Sequence, residues 1–220
     1  MSLRVAGREI RRVLIVDDDQ QARDAYQYNI EELKLEPVQE VGPIVNMEKF
    51  LANAAAKADA ILCDYHLKKR SYATVDGDEI VVRSYKRGLP AVLCTTFTDA
   101  DNTLLRGYRR YIPALLRPDT LTPASIAEGF ERCILEFGNR WQPSRKPWRA
   151  LVRVEEVVKG EEYFYVVIPG WNPKEKIRLS VNDLTDPMRR LLAPGRRFHA
   201  QVNLGAENYE ELYFDSWESE

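Results

Sequence analysis

The stretch that decides the fold is VLIVDDD, residues 13–19, in which four apolar residues run directly into three aspartates. An uninterrupted apolar run of this length is typical of a strand buried on both faces, as in a parallel sheet. Asp17, Asp18 and Asp19 then lie just beyond the carboxyl end of that strand, the edge where open α/β sheets bind ligands. Neighbouring carboxylates repel one another, so the sequence predicts a compensating cation, most readily Mg²⁺. The alternatives are a solvated loop and a helix N-cap.

The composition describes an ordinary globular protein. The 220 residues are 45% hydrophobic and 30% charged, and the formal net charge is −2. No apolar stretch in the sequence reaches the roughly 18 residues of a membrane span, and no excess of positive charge favours nucleic acid or a membrane surface. Cys63, Cys94 and Cys133 lie inside apolar runs. That placement favours reduced, packed thiols in a cytoplasmic protein over a disulfide framework.

Five apolar segments alternate with five helical patterns between residue 11 and about residue 138. The predicted strands cover residues 11–16, 36–41, 60–63, 90–94 and 111–116. The predicted helices cover residues 20–33, 43–57, 76–87, 99–109 and 122–137. This alternation predicts a doubly wound five-stranded parallel sheet with helices on both faces. Neither a GxGxxG nor a GxxxxGK[ST] pattern follows a strand, which weighs against dinucleotide binding and P-loop chemistry.

The polar residues that follow these strands predict a reactive site at one edge of the sheet. Asp64 follows the third strand, Thr95 the fourth and Arg117 the fifth. Because the carboxyl ends of parallel strands share one edge, these side chains should converge with Asp17 and Asp18. Phosphoryl transfer to a carboxylate requires two acids that hold Mg²⁺, one acid as nucleophile, a hydroxyl and a cation.

Together these stretches resemble the receiver domain of bacterial two-component response regulators. The matching segments are VLIVDDD (13–19), ILCDYHL (61–67), DG (76–77), LPAVLCTTF (89–97) and LLRP (115–118). The resemblance implies a flavodoxin-like fold with strand order 2-1-3-4-5. It makes Asp64 the phosphoacceptor and Thr95 the switch hydroxyl that contacts the phosphoryl group. The implied Mg²⁺ ligands are Asp17, Asp18, Asp64 and the backbone carbonyl of His66. The implied upstream partner is a sensor histidine kinase or a phosphotransfer protein.

Three features depart from the pattern of that family. Arg117 stands where the family carries a lysine, and its forked head is not interchangeable with an ammonium. Ala114 stands at the aromatic switch position three residues earlier, with Phe97 as a nearby aromatic substitute. The loop that follows Asp64 is longer than usual and basic. Partner recognition and simple solvation are both open for its cations, Lys68, Lys69 and Arg70.

The chain changes character after the receiver-like domain, residues 1–138. Residues 139–148 contain prolines and basic side chains and predict a linker. Residues 149–220 predict a smaller, mostly-β, barrel-like domain, OB-like or SH3-like, with about five strands and one short helix. Two of the predicted strands cover residues 176–180 and 211–214, and the short helix lies within residues 181–192 with Asn182 or Asp186 as its cap. Residues 141–220 hold 12 Lys/Arg and 13 Asp/Glu. This near neutrality favours a protein partner for the second domain, with nucleic acid open but not favoured.

Two functions therefore compete. The first is a response regulator in phosphorelay signal transduction, in which a phosphoryl group on Asp64 switches the β-rich domain as an output or interaction module. The second is a phosphate-independent pseudo-receiver scaffold, or a nucleic-acid-binding regulator that acts through the C-terminal barrel. No enzymatic activity is expected beyond self-phosphorylation from a phosphodonor and autodephosphorylation. A Mg²⁺-dependent phosphatase is disfavoured because His66 stands where that chemistry needs a second acid. Whether the chain forms a homodimer stays open. The expected location is the cytoplasm.

Overall fold

The computed structural model describes residues 2–96 and 105–219, apart from the side chain of Arg70. The chain forms two compact units. The N-terminal unit consists of residues 2–96 and 111–140, and the C-terminal unit consists of residues 105–110 and 141–219. Within these described residues, none of the helices is long and apolar enough to cross a bilayer.

The N-terminal unit alternates strands with helices. Its strands are β1 (Leu3–Val5), β2 (Arg8–Ile10), β3 (Arg12–Val16), β4 (Glu36–Glu40), β5 (Ala60–Asp64), β6 (Ala91–Cys94) and β7 (Leu115–Leu116). Its helices are α1 (Gln20–Glu32), α2 (Met47–Lys57), α3 (Gly77–Lys86) and α4 (Pro123–Phe137). Parallel strands lie in the order β4-β3-β5-β6-β7, which is 2-1-3-4-5 when these five are numbered along the chain. The prediction of a flavodoxin-like, doubly wound sheet is therefore confirmed.

The apolar runs are buried because helices cover both faces of this sheet. Residues 13–16 are 0% exposed, as the uninterrupted apolar run predicts. Helices α1 and α4 contribute side chains to the core cluster on one face, among them Tyr26, Ile30, Ile126 and Phe130. Gly129 lets α4 approach closely, since a β-carbon there would lie 2.7 Å from Val92 Cγ2 and 3.0 Å from Ala114 Cβ.

The β1–β2 hairpin is absent from the sequence-based prediction. Each strand has three residues, too few for a periodic pattern, and its turn uses positive φ angles at Ala6 (49°) and Gly7 (86°). The apolar side chains of Val5 and Ile10 join the core cluster of the parallel sheet. The hairpin therefore extends the core of the N-terminal unit.

Three predicted elements of this unit differ from the structure. Helix α2 begins at Met47 rather than at residue 43, because the Asn46 side chain caps it by accepting from Lys49 N. The fifth strand is confined to Leu115–Leu116, since Pro113 has no amide to donate to the ladder. Much of the helix predicted over residues 99–109 lies outside the described residues. Of its described part, residues 105–106 are helical and Arg109–Tyr111 form a 3-10 turn.

The C-terminal unit is built on an antiparallel sheet. Its elements are β8 (Trp148–Val157), β9 (Tyr163–Ile168), β10 (Asn172–Ser180), α5 (Asp186–Arg189), β11 (Arg197–Val202) and β12 (Phe214–Ser219). The strands lie in the order β10-β9-β8-β11-β12. Buried side chains from all five strands form one cluster, and register shifts in three strand pairs bend the sheet around it. The prediction of a mostly-β second domain is confirmed.

Some predicted bounds in this unit are wrong. The predicted strand at residues 176–180 begins at Asn172, and the predicted strand at residues 211–214 is instead the end of a 3-10 turn (Tyr209–Glu211) followed by β12. The short helix begins after Thr185 rather than after a cap at Asn182 or Asp186. Short strands with mixed polarity leave their ends undefined in the sequence, which explains these errors.

Residues 105–110 are held inside the C-terminal unit. The Arg145 guanidinium is buried and donates to the carbonyl oxygens of residues 109 and 110 at 3.1–3.4 Å. Gly107 packs against Asp183, where a β-carbon would lie 2.4 Å from Oδ1. The close approach requires glycine at this position, so the segment is a built part of the C-terminal unit.

The second half of the predicted linker also makes contacts within the C-terminal unit. The Ser144 carbonyl oxygen accepts from Asn203 Nδ2 at 2.9 Å, and the Arg145 carbonyl oxygen accepts from the Tyr213 hydroxyl at 2.6 Å. A β-carbon at Gly205 would lie 2.2 Å from the Pro143 carbonyl oxygen. From Trp141 onward the chain is therefore part of this unit.

Candidate functional site

Three carboxylates meet at the carboxyl edge of the parallel sheet. Asp17 and Asp18 follow β3, and Asp64 ends the neighbouring strand β5. One carboxylate oxygen from each residue lies within 4.8 Å of the others. Oxygens that share an octahedral Mg²⁺ at about 2.1 Å lie roughly 3–4 Å apart. A small adjustment would therefore bring all three carboxylates onto one ion.

The electrostatics of this cluster favour a cation. Asp17 is 4% exposed, and burial raises its pKa to about 7, against the opposing effect of the Asp19 amide, which donates to Asp17 Oδ1 at 2.7 Å. The negative charges of Asp64 and Asp18 raise the pKa of Asp17 further. Burial likewise raises the pKa of Asp64. Because all the donors are hard oxygen atoms, these residues fit Mg²⁺.

The third aspartate of the run has a different role. Asp19 is the N-cap of α1, and its side chain accepts from Gln21 N at 2.8 Å. Of the alternatives predicted for the aspartate run, the helix N-cap is confirmed for Asp19. Asp17 and Asp18 join the acidic cluster, and cation binding there stays a prediction.

A buried arginine that sequence analysis did not identify lies next to the acidic cluster. Arg23 is 7% exposed, its Nη1 donates to the Asp17 carbonyl oxygen at 2.5 Å, and its Nη2 donates to Gln20 Oε1 at 2.5 Å. This positive charge offsets part of the repulsion among the carboxylates. The sequence signal that could have identified Arg23 is a positively charged residue one helical turn after Asp19, on the apolar side of α1.

The start of α3 fixes the chain beyond Asp64. The His66 amide donates to Asp64 Oδ2 at 2.7 Å, and the Gly77 amide donates to the Tyr65 carbonyl oxygen at 2.8 Å. A β-carbon on Gly77 would lie 1.8 Å from the Asp64 carbonyl oxygen. The glycine of the DG pair is therefore required for the helix to pack against the end of β5. Ligation of Mg²⁺ by the His66 carbonyl stays a prediction.

Thr95 follows β6, the strand adjacent to the one that ends at Asp64. Asp64 pairs with Cys94 in the register of the two strands, and the Thr95 amide donates to the Leu116 carbonyl oxygen at 2.9 Å. Thr95 is 1% exposed, and its hydroxyl has no hydrogen-bond partner among residues 2–96 and 105–219. An unsatisfied buried polar group costs roughly 1–3 kcal/mol. The hydroxyl is thus suited to bond a ligand at this edge.

Arg117 also follows a strand of this edge, yet its guanidinium binds a different carboxylate. Nε donates to Asp119 Oδ1 at 3.0 Å, and Nη2 donates to Asp119 Oδ2 at 2.9 Å. The two side chains are 61% and 56% exposed. The structure therefore brings Asp17, Asp18 and Asp64 together, whereas it pairs Arg117 with Asp119.

The aromatic switch position is part of the core. Ala114 is 1% exposed and belongs to the cluster packed against α4, where Gly129 faces it. A side chain this small has no second rotamer to adopt. Phe97, the expected aromatic substitute, lies outside the described residues.

The long loop after Asp64 folds onto the loop between β4 and α2. The Tyr72 hydroxyl donates to the Glu40 carbonyl oxygen at 2.7 Å, and the Tyr72 carbonyl oxygen accepts from Ile44 N at 2.7 Å. Lys68 Nζ lies 2.9 Å from Asp76 Oδ2, and Lys69 is exposed. The loop is therefore held to this neighbour by hydrogen bonds of Tyr72, and the role of its cations stays open.

The three cysteines take no part in this chemistry. Cys63, Cys94 and Cys133 are buried thiols, as predicted. Burial raises the pKa of the Cys63 thiol, and it raises the pKa of Cys94 to about 12. Thiols of this kind stay protonated and are poor nucleophiles.

Comparison with known proteins gives matches among solved structures. No protein-family model and no curated protein sequence matches the chain. Among solved structures, a response regulator receiver domain from Clostridium thermocellum is 15% identical, with a TM-score of 0.44, and the match covers 59% of this chain and 98% of that one. A CheY-like receiver domain from Methanospirillum hungatei JF-1 is 19% identical, with a TM-score of 0.43 and the same coverage.

A third similar structure is the signal receiver domain of a modulated diguanylate cyclase from Desulfovibrio desulfuricans G20. It is 21% identical, with a TM-score of 0.46, and the match covers 58% of this chain and 96% of that one. At these identities the similarity is one of fold. Chemical roles in this chain therefore depend on its own side chains.

Proposed function

We propose that this protein is a response regulator whose Asp64 accepts a phosphoryl group in a phosphorelay. The observation that carries the proposal is the cluster of Asp17, Asp18 and Asp64, whose oxygens lie within 4.8 Å of one another. The Thr95 hydroxyl, buried and unpartnered among the described residues, lies at the end of the next strand. A carboxylate nucleophile, ligands for a metal ion and a hydroxyl donor are the groups that this reaction needs.

The proposed reaction has two steps. An Asp64 carboxylate oxygen attacks the phosphorus of a phosphodonor, the bond from phosphorus to the leaving group breaks, and an acyl phosphate forms. The leaving group is acetate when acetyl phosphate is the donor, and it is an imidazole, which takes up a proton, when the donor is a phosphohistidine. Water later attacks the phosphorus, which releases inorganic phosphate and restores the carboxylate. When bound by Asp17, Asp18, Asp64 and the His66 carbonyl, Mg²⁺ neutralises charge on the phosphoryl oxygens.

The remaining residues orient the reacting groups. The His66 amide holds one oxygen of Asp64 in place. The Arg23 guanidinium donates to the Asp17 carbonyl oxygen and so fixes the backbone at that residue. The Thr95 hydroxyl donates to a phosphoryl oxygen in the product, which satisfies a group that has no partner among the described residues of the unphosphorylated chain. The three carboxylates already lie together at one edge of the sheet, so the acidic part of the site is largely preorganised.

The C-terminal unit is the proposed output. Residue 105 follows Thr95 by ten positions, and residues 105–110 are packed within the C-terminal unit. A displacement at the end of β6 is therefore transmitted along a short length of chain to this unit. Gly107→Ala should loosen the segment, because the new β-carbon meets Asp183 Oδ1. Gly170→Ala is a matched control, since its β-carbon would meet only Leu204 Cδ1 at 3.7 Å.

Hydrogen exchange on the C-terminal unit tests this route. Phosphorylation of Asp64 should change exchange on β10 and residues 181–183 in wild type and in Gly170→Ala. The change should be reduced in Gly107→Ala. An equal response in all three proteins would place the route of coupling elsewhere.

The partners follow from the same proposal. A sensor histidine kinase or a phosphotransfer protein supplies the phosphoryl group. The nearly equal numbers of acidic and basic residues from residue 141 onward favour a protein target for the C-terminal unit over nucleic acid. Three buried cysteine thiols suit the reducing cytoplasm.

A phosphate-independent scaffold is the second candidate, and two observations favour it. Arg117 is paired with Asp119, and Ala114 replaces the aromatic switch residue. Incubation with acetyl phosphate and Mg²⁺, measured by intact mass, separates the two candidates. A response regulator gains one phosphoryl group that Asp64→Asn abolishes, whereas a scaffold gains none.

A further inference from the structure

Asp119 binds Arg117, the proposed source of the positive charge in phosphoryl transfer. Two parallel hydrogen bonds of 3.0 and 2.9 Å join the guanidinium to the carboxylate. Bidentate pairs of this geometry fix the orientation of the arginine. The hydrogen bonds raise the pKa of Arg117 and lower the pKa of Asp119, as expected when each charge stabilises the other.

Arg117 is within reach of the phosphoacceptor. Strands β5, β6 and β7 are adjacent, with Asp64 opposite Cys94 and Cys94 opposite Leu116. Two strand spacings amount to about 10 Å between Cα atoms. An extended arginine spans about 6 Å from Cα to Cζ, as bond lengths of about 1.5 Å allow. A guanidinium at residue 117 can therefore meet a phosphoryl group that projects from Asp64.

Asp119 lies near this edge of the sheet as well. Burial is the main cause of the raised pKa of the Cys94 thiol, and the charge of Asp119 contributes to it. Cys94 is the residue opposite Asp64 in the ladder. Asp119 also lies in the 3-10 turn of Pro118–Thr120 that follows β7, so the Arg117–Asp119 pair stands at the same edge of the sheet as the acidic cluster.

We infer that Asp119 is a positioning residue that holds Arg117 away from Asp64 in the unphosphorylated protein and so restrains phosphorylation. This inference rests on the proposed phosphorylation of Asp64. The phosphoryl group carries a charge of about −2, so it competes with the single charge of Asp119 for the guanidinium. Because both side chains of the pair are exposed, the pair is weak and can break without disturbing the fold.

Asp119→Asn removes the competing charge and keeps the size of the side chain. It should raise the rate of phosphorylation by acetyl phosphate roughly two- to fivefold, as expected for the loss of an exposed ion pair. The effect should disappear in an Arg117→Ala background, because Asp119 acts only through Arg117. Glu9→Gln is the matched control, since Glu9 pairs with Arg11, also two residues away, before β3 at the other end of the sheet.

A spectroscopic measurement reports the pair itself. The Nε–Hε resonance of Arg117, observed by ¹⁵N NMR, should shift when Asp119→Asn is introduced and when wild type is phosphorylated. The same resonance should be unchanged in Glu9→Gln. This readout separates the exchange of partners by Arg117 from any general change in stability.

The outcomes distinguish this inference from the proposed function. Phosphorylation of both proteins, with a higher rate in Asp119→Asn than in wild type, supports the inference. If wild type and Asp119→Asn are phosphorylated at the same rate, the inference is overturned and the proposed function stands. If neither protein takes up a phosphoryl group, both are overturned.

Discussion

Gly77 lies so close to Asp64 that a β-carbon on the glycine would be 1.8 Å from the Asp64 carbonyl oxygen. The same β-carbon would lie 2.9 Å from Cys63 Sγ. Backbone cannot move aside as a flexible side chain can, so any residue larger than glycine must push α3 away from β5. The end of β5 carries Asp64 into the acidic cluster, and the glycine therefore supports the geometry of the site.

Gly77→Ala should destabilise the N-terminal unit and weaken the acidic site. We expect a loss of about 2–3 kcal/mol in the free energy of unfolding, within the range for overpacking a tight contact. Urea denaturation followed by far-UV circular dichroism measures it. Gly138→Ala is the control, since its β-carbon would have no neighbour closer than 3.5 Å. Equal stability of the two variants would show that α3 can shift at no cost.

Mg²⁺ should bind to the acidic cluster and stabilise the protein. At a Mg²⁺ concentration ten times Kd, the gain in the free energy of unfolding should be about 1.4 kcal/mol. Asp18→Ala should abolish binding in calorimetry. The ion loses one carboxylate ligand, whereas the burial cost of keeping the other two carboxylates charged remains. Asp24→Asn, an exposed carboxylate on α1, should bind as wild type does. Unchanged binding by Asp18→Ala would place the metal elsewhere.

The stability of the C-terminal unit should depend on pH through Asp183. Burial raises the pKa of Asp183 to about 6, although the Ser180 amide and the charge of Arg106 act to lower it. The unfolded value is about 3.9. Between these values the folded state binds the proton more tightly, so stability falls as pH rises from about 4 to about 6. Asp183→Asn should remove this dependence and exceed wild type by about 3 kcal/mol at pH 7.

Tryptophan fluorescence is the appropriate probe for that variant, because all four tryptophans lie in residues 141–219. Asp186→Asn, a mostly exposed carboxylate on α5, should keep the pH dependence of wild type. A pH dependence of Asp183→Asn that matches wild type would assign the effect to another group.

The parallel sheet could be predicted from sequence because its strands are buried on both faces. Runs such as residues 13–16 and 60–63 are apolar without interruption, and a parallel sheet covered on both faces buries such runs fully. The β1–β2 hairpin and β7 were missed or misplaced, since two or three residues carry no periodic signal. The two-residue length of β7 follows from Pro113, whose effect on the ladder depends on the neighbouring strand.

The acidic cluster could be predicted for a topological reason: strand ends share an edge. The hydrogen-bond partners of the charged side chains could not be predicted from the sequence, because they depend on which residues lie nearby in the folded structure. In the sequence Arg23 is an ordinary residue of a helix, and only the structure shows its contact with the Asp17 carbonyl oxygen. The sequence predicts Arg117 as the positively charged residue of the site, and only the structure shows its bidentate pairing with Asp119.

The central claim is that Asp64 accepts a phosphoryl group. Intact mass after incubation with acetyl phosphate and Mg²⁺ tests it most directly, with chelated samples and Asp24→Asn as controls. We predict one added phosphoryl group on wild type and on Asp24→Asn, and none on Asp64→Asn or without Mg²⁺. A wild-type protein that gains no mass while Mg²⁺ is bound, or a gain that persists in Asp64→Asn, would contradict the claim.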